Sequence, residues 1–370
     1  MKKRNNKIIV LILVGVLFVV SLLIFILNYS KDDSSFSILE KKWINDNTST
    51  VIDVSVYNDV PVYGKNGKGV IFNLLEDFTN TYGINFNKVS YQISSSTTLK
   101  DTSFRVLDNN TALTDQDILL YKDNYVLISP NKESIDTIYD IDNKVVGVLT
   151  SDLSVVSNTL TSVRNISYTQ KEDITELKTA LDNKELEYII LPYNMYIDFI
   201  MENDLNILYH LTDISKSYVL TINNKTLLNI MKKYYKNYQT EKQSEAYKTN
   251  FLNEFFLANN ITEVEKMGYN SSSYTVGYIT YMPFTAKEEK DFVGTISNYL
   301  SGFEDLFDVD FKVISYKNIE ELKNALSRGE LDLAFANFNL NGLNIDTITT
   351  SSPFSEDYVV LSKDYFSINS

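Results

Sequence analysis

His210 is the only imidazole in the chain, and cysteine is absent. Disulfides, thiolate metal sites, Cys nucleophiles and multi-His metal centres are therefore excluded, and a single His makes a His-based triad improbable. A lone His among Tyr and Leu residues reads as a structural side chain. No P-loop, no GxGxxG after a strand, no GxSxG and no HExxH occurs. The adjacent carboxylates Asp32-Asp33 and Glu288-Glu289 read as solvated surface, and no spacing brings two carboxylates together as an acid–base pair. Tyr234, Tyr235 and Tyr238 fall at helical spacing, which predicts packing rather than a sugar platform. The remaining chemistry is recognition, by aromatic faces, amides and helix N-termini. No enzyme active site and no cofactor are expected.

The elements that must position such groups begin with an anchor. Lys2, Lys3, Arg4 and Lys7 precede Ile8–Leu27, 20 residues without a charge, long enough as a helix to span about 30 Å of hydrocarbon. The basic flank places the N-terminus in the cytoplasm and the rest outside. The apolar run exceeds that of a cleaved signal peptide, and no small-x-small site follows it. Four of the 34 basic residues lie in the arm, so the exported part carries 30 against 48 acidic residues, a formal charge of −18. Such a chain repels phosphate backbones, which argues against nucleic acid as a partner.

Beyond a polar stretch at 31–50, expected to be a stalk, strand and helix signals alternate. VIDVSVY (51–57) is period-2 and β-branched; 71–82 has helical apolar spacing and stops at Gly83; INFNKVSY (84–91) is again a strand. This βαβ pattern predicts a parallel sheet. The pattern returns about 225 residues later: YTVGYIT (274–280), a helical 292–307, and VDFKVISY (309–316), in which Phe311 answers Phe86 and Ser315-Tyr316 answer Ser90-Tyr91. Pro61 and Pro283 follow their strands at the same distance, and 125–129 resembles 358–362. The chain thus reads as a domain duplication. Between the copies lie strands at 144–149, 188–191, 206–210 and 217–222. Helices are expected from Thr150-Ser151-Asp152 to 160 (Asp152 as its cap), at 174–181 and 193–202, and over most of 227–256. A short, polar helix is expected within 97–108.

This order resembles the type II periplasmic binding protein fold, family 3 extracellular solute-binding proteins in particular. The resemblance rests on VIDVSVYNDVPVYG, on YVLISPNKESIDTIYDIDNKVVGVLTSDL, on ITELKTALDNKELEYIILPYNMYIDFI and, in the second copy, on YTVGYITYMPF, LKNALSRGELDLAFANFNL and SSPFSEDYVVLSK. It implies an α/β chain in which an N-terminal transmembrane helix (1–30) and stalk (31–50) precede a bilobed domain at 51–260. Lobe 2 is inserted at about 131–218, and lobe 1 of an incomplete second domain occupies 272–370. In that fold the ligand is clamped at strand C-termini and helix N-termini, where backbone N–H groups attract anions.

On that resemblance Tyr281 and Phe284 of the Tyr-Met-Pro-Phe turn are ligand candidates, with Asn337 and Asn339 as amide partners at the same cleft edge. In copy 1 the corresponding candidates are Tyr57 and Asp59, with Asp59 at the position of Tyr281 and Val62 at that of Phe284; Ser151 and Asp152 stand at the lobe 2 helix start. Pro192 and Tyr193 replace the acidic residue that usually holds a substrate amino group. Neither copy has the Thr-x-x-Arg turn of amino-acid binders, and Arg105 is the only arginine near that region in copy 1. The expected function is ligand sensing, by an extracytoplasmic part of a membrane-anchored signalling protein that is a fragment of a longer chain. The alternatives are a membrane-tethered receptor of an ABC transporter and a non-binding scaffold. The expected partners are a small, polar or amino-acid-like solute and the cell membrane, with a homodimer open.

Overall fold

A computed structural model describes residues 36–93, 97–108, 111–131, 135–269, 273–288 and 291–335. The expected anchor, the 358–362 segment, Asn337 and Asn339 lie outside the described residues. Among those described, no helix is long and apolar enough to cross a membrane. The chain divides into two compact units, Met1–Ile261 and Thr262–Ser370.

Among the described residues the first unit opens with a helix, within the 31–50 stretch expected to be a stalk. Helix α1 (Ile38–Asn47) starts at a capping box, in which Ser37 N–H donates to Glu40 Oε2 at 2.7 Å and Glu40 N–H to Ser37 Oγ at 3.3 Å. Phe36 and Ile44 are buried, and Lys233 reaches Glu40 at 2.6 Å. Phe36, Ile44, the half-buried Trp43 and the Glu40–Lys233 pair anchor this segment to the unit.

Strand β1 (Val51–Tyr57) leads through a short antiparallel pair, β2 (Asp59–Val60) and β3 (Gly64–Lys65), into helix α2 (Val70–Tyr82). The helix buries Val70, Ile71, Leu74, Leu75 and Phe78, a stripe at helical spacing. It ends where Gly83, at φ 72°, returns its N–H to Thr79 O. Strand β4 (Asn85–Tyr91) then pairs in parallel with all seven residues of β1. Strand β5 (Thr102–Leu107) occupies part of 97–108, where a helix was expected. It is paired on both edges, with β1 and β10, and sends Phe104 and Leu107 inward.

Strand β6 (Asp117–Ser129) runs between the two ends of the first unit's sheet. Strands β7 (Val145–Leu149), β8 (Ser167–Lys171) and β9 (Tyr188–Pro192) alternate with helices α3 (Leu153–Thr159) and α4 (Ile174–Asp182); α5 (Ile197–Glu202) follows. Strand β10 (Asn206–Ile222) returns antiparallel to β6. Two strands were expected here. The structure has one, because an irregularity between Leu211 and Ser215 absorbs the polar Thr212-Asp213 without ending the pairing. Likewise 227–256 is two helices, α6 (Lys225–Glu241) and α7 (Gln243–Ala258), separated at Lys242.

The eight strands form one sheet in the order β4-β1-β5-β10-β6-β9-β7-β8. Its two ends are parallel α/β groups, each with its own core. One core holds Val54, Tyr57, Phe78, Phe104, Tyr218 and Tyr234. The other lies on both faces of β6, β7 and β9, around Tyr125, Val146 and Ile190 and around Val126, Leu177 and Ile189. The long pair β6–β10 joins these two lobes.

The second unit contains α8 (Glu263–Tyr269), β11 (Ser273–Ile279), a hairpin of β12 (Ala286–Glu288) and β13 (Asp291–Val293), α9 (Thr295–Phe307), β14 (Asp310–Tyr316), α10 (Ile319–Ser327) and β15 (Leu333–Phe335). Its parallel sheet runs β14-β11-β15. Phe292 belongs to the hairpin rather than to the helix expected at 292–307, because Gly294, at φ 114°, breaks the chain just before α9.

Candidate ligand-binding surfaces

The turn after the first strand is built the same way in each unit. In the first, Val62 O accepts from Val70 N–H at 2.9 Å and Tyr63 O from Ile71 N–H at 3.0 Å. In the second, Pro283 O accepts from Thr295 N–H at 3.3 Å and Phe284 O from Ile296 N–H at 3.0 Å. The turn carbonyls thereby satisfy the first N–H groups of the following helix. A glycine permits this approach: a Cβ on Gly69 would stand 2.4 Å from Tyr63 O, and one on Gly294 2.4 Å from Phe284 O. Both have left-handed φ, 121° and 114°.

This correspondence corrects the sequence alignment of the turns. Strands β1 and β11 share one register, with Tyr57 opposite Tyr91 and Ile279 opposite Tyr316. The first unit then uses one more residue before the turn carbonyl, with Val62 at φ 65°. Tyr63, not Val62, therefore matches Phe284, and Val60, not Asp59, matches Tyr281.

The two turns differ in exposure. Tyr281 is 40% exposed and stacks on Phe284, with ring centroids 5.8 Å apart and planes inclined by 15°. Phe284 is half-buried and backs onto Val276, Ile296 and Leu300. Tyr281 N–H donates to Thr285 O at 2.7 Å, so the turn is held shut while its aromatic face stays open. Tyr63 is buried instead, 4.9 Å from Tyr218 edge-to-face, 5.0 Å from Tyr121 and 6.0 Å from Tyr247.

The other candidates of the first unit separate. Tyr57 is fully buried, 6.0 Å from Tyr218, and its hydroxyl has no hydrogen-bond partner among the described residues. Burial pushes its pKa well up. Asp59 accepts from Ile93 N–H at 2.9 Å through Oδ2, while its Oδ1 is buried without a partner among the described residues. Desolvation raises its carboxyl pKa. Tyr91 donates to Phe104 O at 2.7 Å and is pushed up to about 12 by burial and by the Asp59 charge, with Arg105 opposing.

Asp152 was expected to cap helix α3. It stands at the cap position with helical backbone angles and makes no side-chain bond to the helix. It is buried, and its Oδ1 pairs with Lys216 Nζ at 2.8 Å; Ser151 Oγ lies 3.4 Å from the same oxygen. Lys216, from the middle of β10, also reaches Asp108 at 2.7 Å. The lobe 2 helix start thus faces an internal carboxylate and its own cation. Tyr193 sits edge-on to the exposed His210 at 6.3 Å, and burial raises its pKa to about 12.

Between the lobes the sequence reading missed a buried network around Asp123. Its Oδ1 accepts from Asn194 N–H at 2.8 Å and Asn194 Nδ2 at 3.2 Å; its Oδ2 accepts from Met195 N–H at 3.0 Å and the Tyr218 hydroxyl at 2.7 Å. Asn194 Nδ2 also donates to the Tyr121 hydroxyl at 3.0 Å, and Asn194 Oδ1 accepts from Tyr247 at 2.8 Å. Desolvation pushes the Asp123 carboxyl pKa up against these bonds. The available signal was a carboxylate, Asp123, between the apolar triplets LLY and YVL of one strand, and a carboxylate buried there must be hydrogen-bonded. A hollow of about 400 Å³ lies at the opposite, N-terminal end of β1, beside Trp43, Asp53 and Lys100. There Lys100 pairs with Asp53 at 3.0 Å. Among the described residues no group of His, Asp or Glu side chains is arranged to hold a metal ion.

No family model and no curated protein matches this chain. Among solved structures it is similar to the periplasmic domain of BvgS from B. pertussis, at 14% identity and a TM-score of 0.47, covering 81% of this chain and 63% of that one. The chain therefore spans less than two thirds of that BvgS domain. It is also similar to the VFT2 domain of Bordetella pertussis BvgS, at 13% identity, a TM-score of 0.42 and coverage of 58% and 97%. A third neighbour is AbpA, an amino acid ABC transporter substrate-binding protein from Streptococcus pneumoniae bound to L-arginine, at 15% identity, a TM-score of 0.41 and coverage of 59% and 98%.

Proposed function

We propose that this chain is the extracytoplasmic ligand-sensing region of a membrane-anchored signalling protein, and that its solute binds the second unit against Tyr281 and Phe284. The observation that carries this reading is the exposed Tyr281 stacked on the half-buried Phe284 just after the C-terminal end of β11, beside the start of α9. Strand C-termini and helix N-termini are where open α/β sheets take ligands. In the first unit the equivalent Tyr63 is buried and presents no such face.

The solute is small and amino-acid-like, or another polar molecule that presents a cationic or apolar face. An aromatic face attracts such groups, and an exported part at −18 draws cations by its long-range field. The uncharged 8–27 segment behind a basic arm supports the membrane anchor.

A thermal-shift screen of the chain against amino acids, short peptides, polyamines and sugars tests the reading. A solute at 100 times its Kd stabilises the folded state by about 2.7 kcal/mol. The expected result is at least one such solute whose effect disappears in Tyr281→Ala. A well-folded sample that responds to none of them contradicts the reading.

A further inference from the structure

We propose that the first unit is latched shut by its own side chains, so that its closed form is the resting state without any solute. The inference goes beyond the solute reading of the second unit and stands without it.

Three sets of contacts join the lobes. The first is the Asp123 network. Asn194 follows β9 in one lobe, whereas Tyr63 and Tyr247 belong to the other. The Asn194 side chain gives its oxygen to Tyr247 and its amide hydrogens to Tyr121 and Asp123. Asp123 accepts four bonds. The acceptors and donors that a solute's amide or ammonium would engage are already satisfied from within.

The second set is the ion triad. Asp108 ends the β5 segment of one lobe, Asp152 begins the helical turn of the other, and Lys216 stands between them at 2.7 and 2.8 Å. Asp152 is only 2% exposed, so the lobes can separate here only by breaking this desolvated ion pair. The third set is at the rim, where Lys65 reaches Asp198 of α5 at 2.5 Å; Glu254 of α7, 3.7 Å from the same Lys65, lies within its own lobe. Helix α5 itself straddles the lobes, with Ile197 in one core and Ile200 in the other.

Aromatic, ionic and amide contacts therefore occupy the space that closure on a solute would need. The unpaired residues of β10 between Leu211 and Ser215 lie beside Lys216, which puts the irregular backbone next to the triad. The response available to this unit is opening, by breaking internal bonds, rather than closing on a solute.

The absence of cysteine makes the test direct. Glu76→Cys on α2 and Thr175→Cys on α4, both exposed positions in different lobes, would carry the only two spin labels on the full chain in detergent. The expected pulsed-dipolar result without solute is one narrow distance matching the closed arrangement, unmoved by L-arginine, spermidine, a dipeptide or glucose. Lys65→Ala with Asn194→Ala should lengthen and broaden it, in a variant whose circular dichroism and cooperative melting show it folded. If that variant does not fold, the unsubstituted labelled chain decides alone. A broad or long distance at rest, a shortening by any of these solutes, or an unchanged distance in the folded latch variant would overturn the proposal.

Discussion

Tyr63 and Phe284 hold the same place in their two units, each giving its carbonyl to the second N–H of the following helix at 3.0 Å. Tyr63 is buried among Tyr121, Tyr218 and Tyr247, whereas Phe284 backs an exposed Tyr281. The same backbone device carries a fully packed ring in one unit and, in the other, a half-buried ring covered by an exposed one.

Tyr63→Ala should therefore destabilise the first unit by about 3–5 kcal/mol, as removal of a buried ring does. Tyr281→Ala, at a surface position, should change stability by less than about 0.5 kcal/mol. Denaturant unfolding of the two variants measures the contrast; equal losses would contradict the assignment of their roles.

Lys216→Met leaves Asp152 buried without its cation and should cost about 3–5 kcal/mol. Lys216→Met combined with Asp152→Leu removes both charges and should recover most of that loss. Unfolding curves of the single and double variants give the coupling. Additive losses would show that the pair does not act as a unit.

Glu40 fastens α1 to α6 through Lys233. The hydrogen bond from Lys233 holds its carboxyl below the usual 4.5, against a partial desolvation effect. A lowered carboxylate pKa means that the stabilisation is fully present above 4.5 and is lost as pH falls through the folded value. Melting temperatures should therefore fall more steeply in the parent chain than in Glu40→Gln below about pH 4.5, with the two curves parallel above it.

Gly69→Ala and Gly294→Ala each place a Cβ 2.4 Å from a carbonyl oxygen, at φ 121° and 114°. Each should destabilise its own unit by more than about 1 kcal/mol. Gly294→Ala should also weaken solute binding by displacing the turn that carries Tyr281; unchanged unfolding in either variant would show that the turn can relax.

The parallel βαβ core of each unit was legible because its signals are local. They are the period-2 runs at 51–57 and 274–280, the helical stripe at 71–82 and the Gly83 stop. The turn alignment was off by one residue because Pro61 and Pro283 lie at equal distances from their strands, while the structure matches carbonyls rather than prolines. Helix α1 gives no apolar stripe because its buried residues are only Glu40 and Ile44, and it is held by a capping box and by the Glu40–Lys233 contact with α6. The Asp123–Asn194 and Lys216–Asp152 contacts join residues 71 and 64 positions apart, and no local pattern announces such pairs. Asp152 reads as a helix cap by position, and only the return of β10 supplies the cation that claims it instead.

The most direct test of the central claim is amide hydrogen exchange of the chain with and without the solute identified by the melting screen. The account predicts slowed exchange confined to the Tyr281–Thr285 turn and the first turn of α9, with residues 59–63 and 194–196 already protected and unchanged. Protection appearing instead around Tyr63, Asp123 and Asn194, with the Tyr281 turn unaffected, would contradict it and move solute recognition to the first unit.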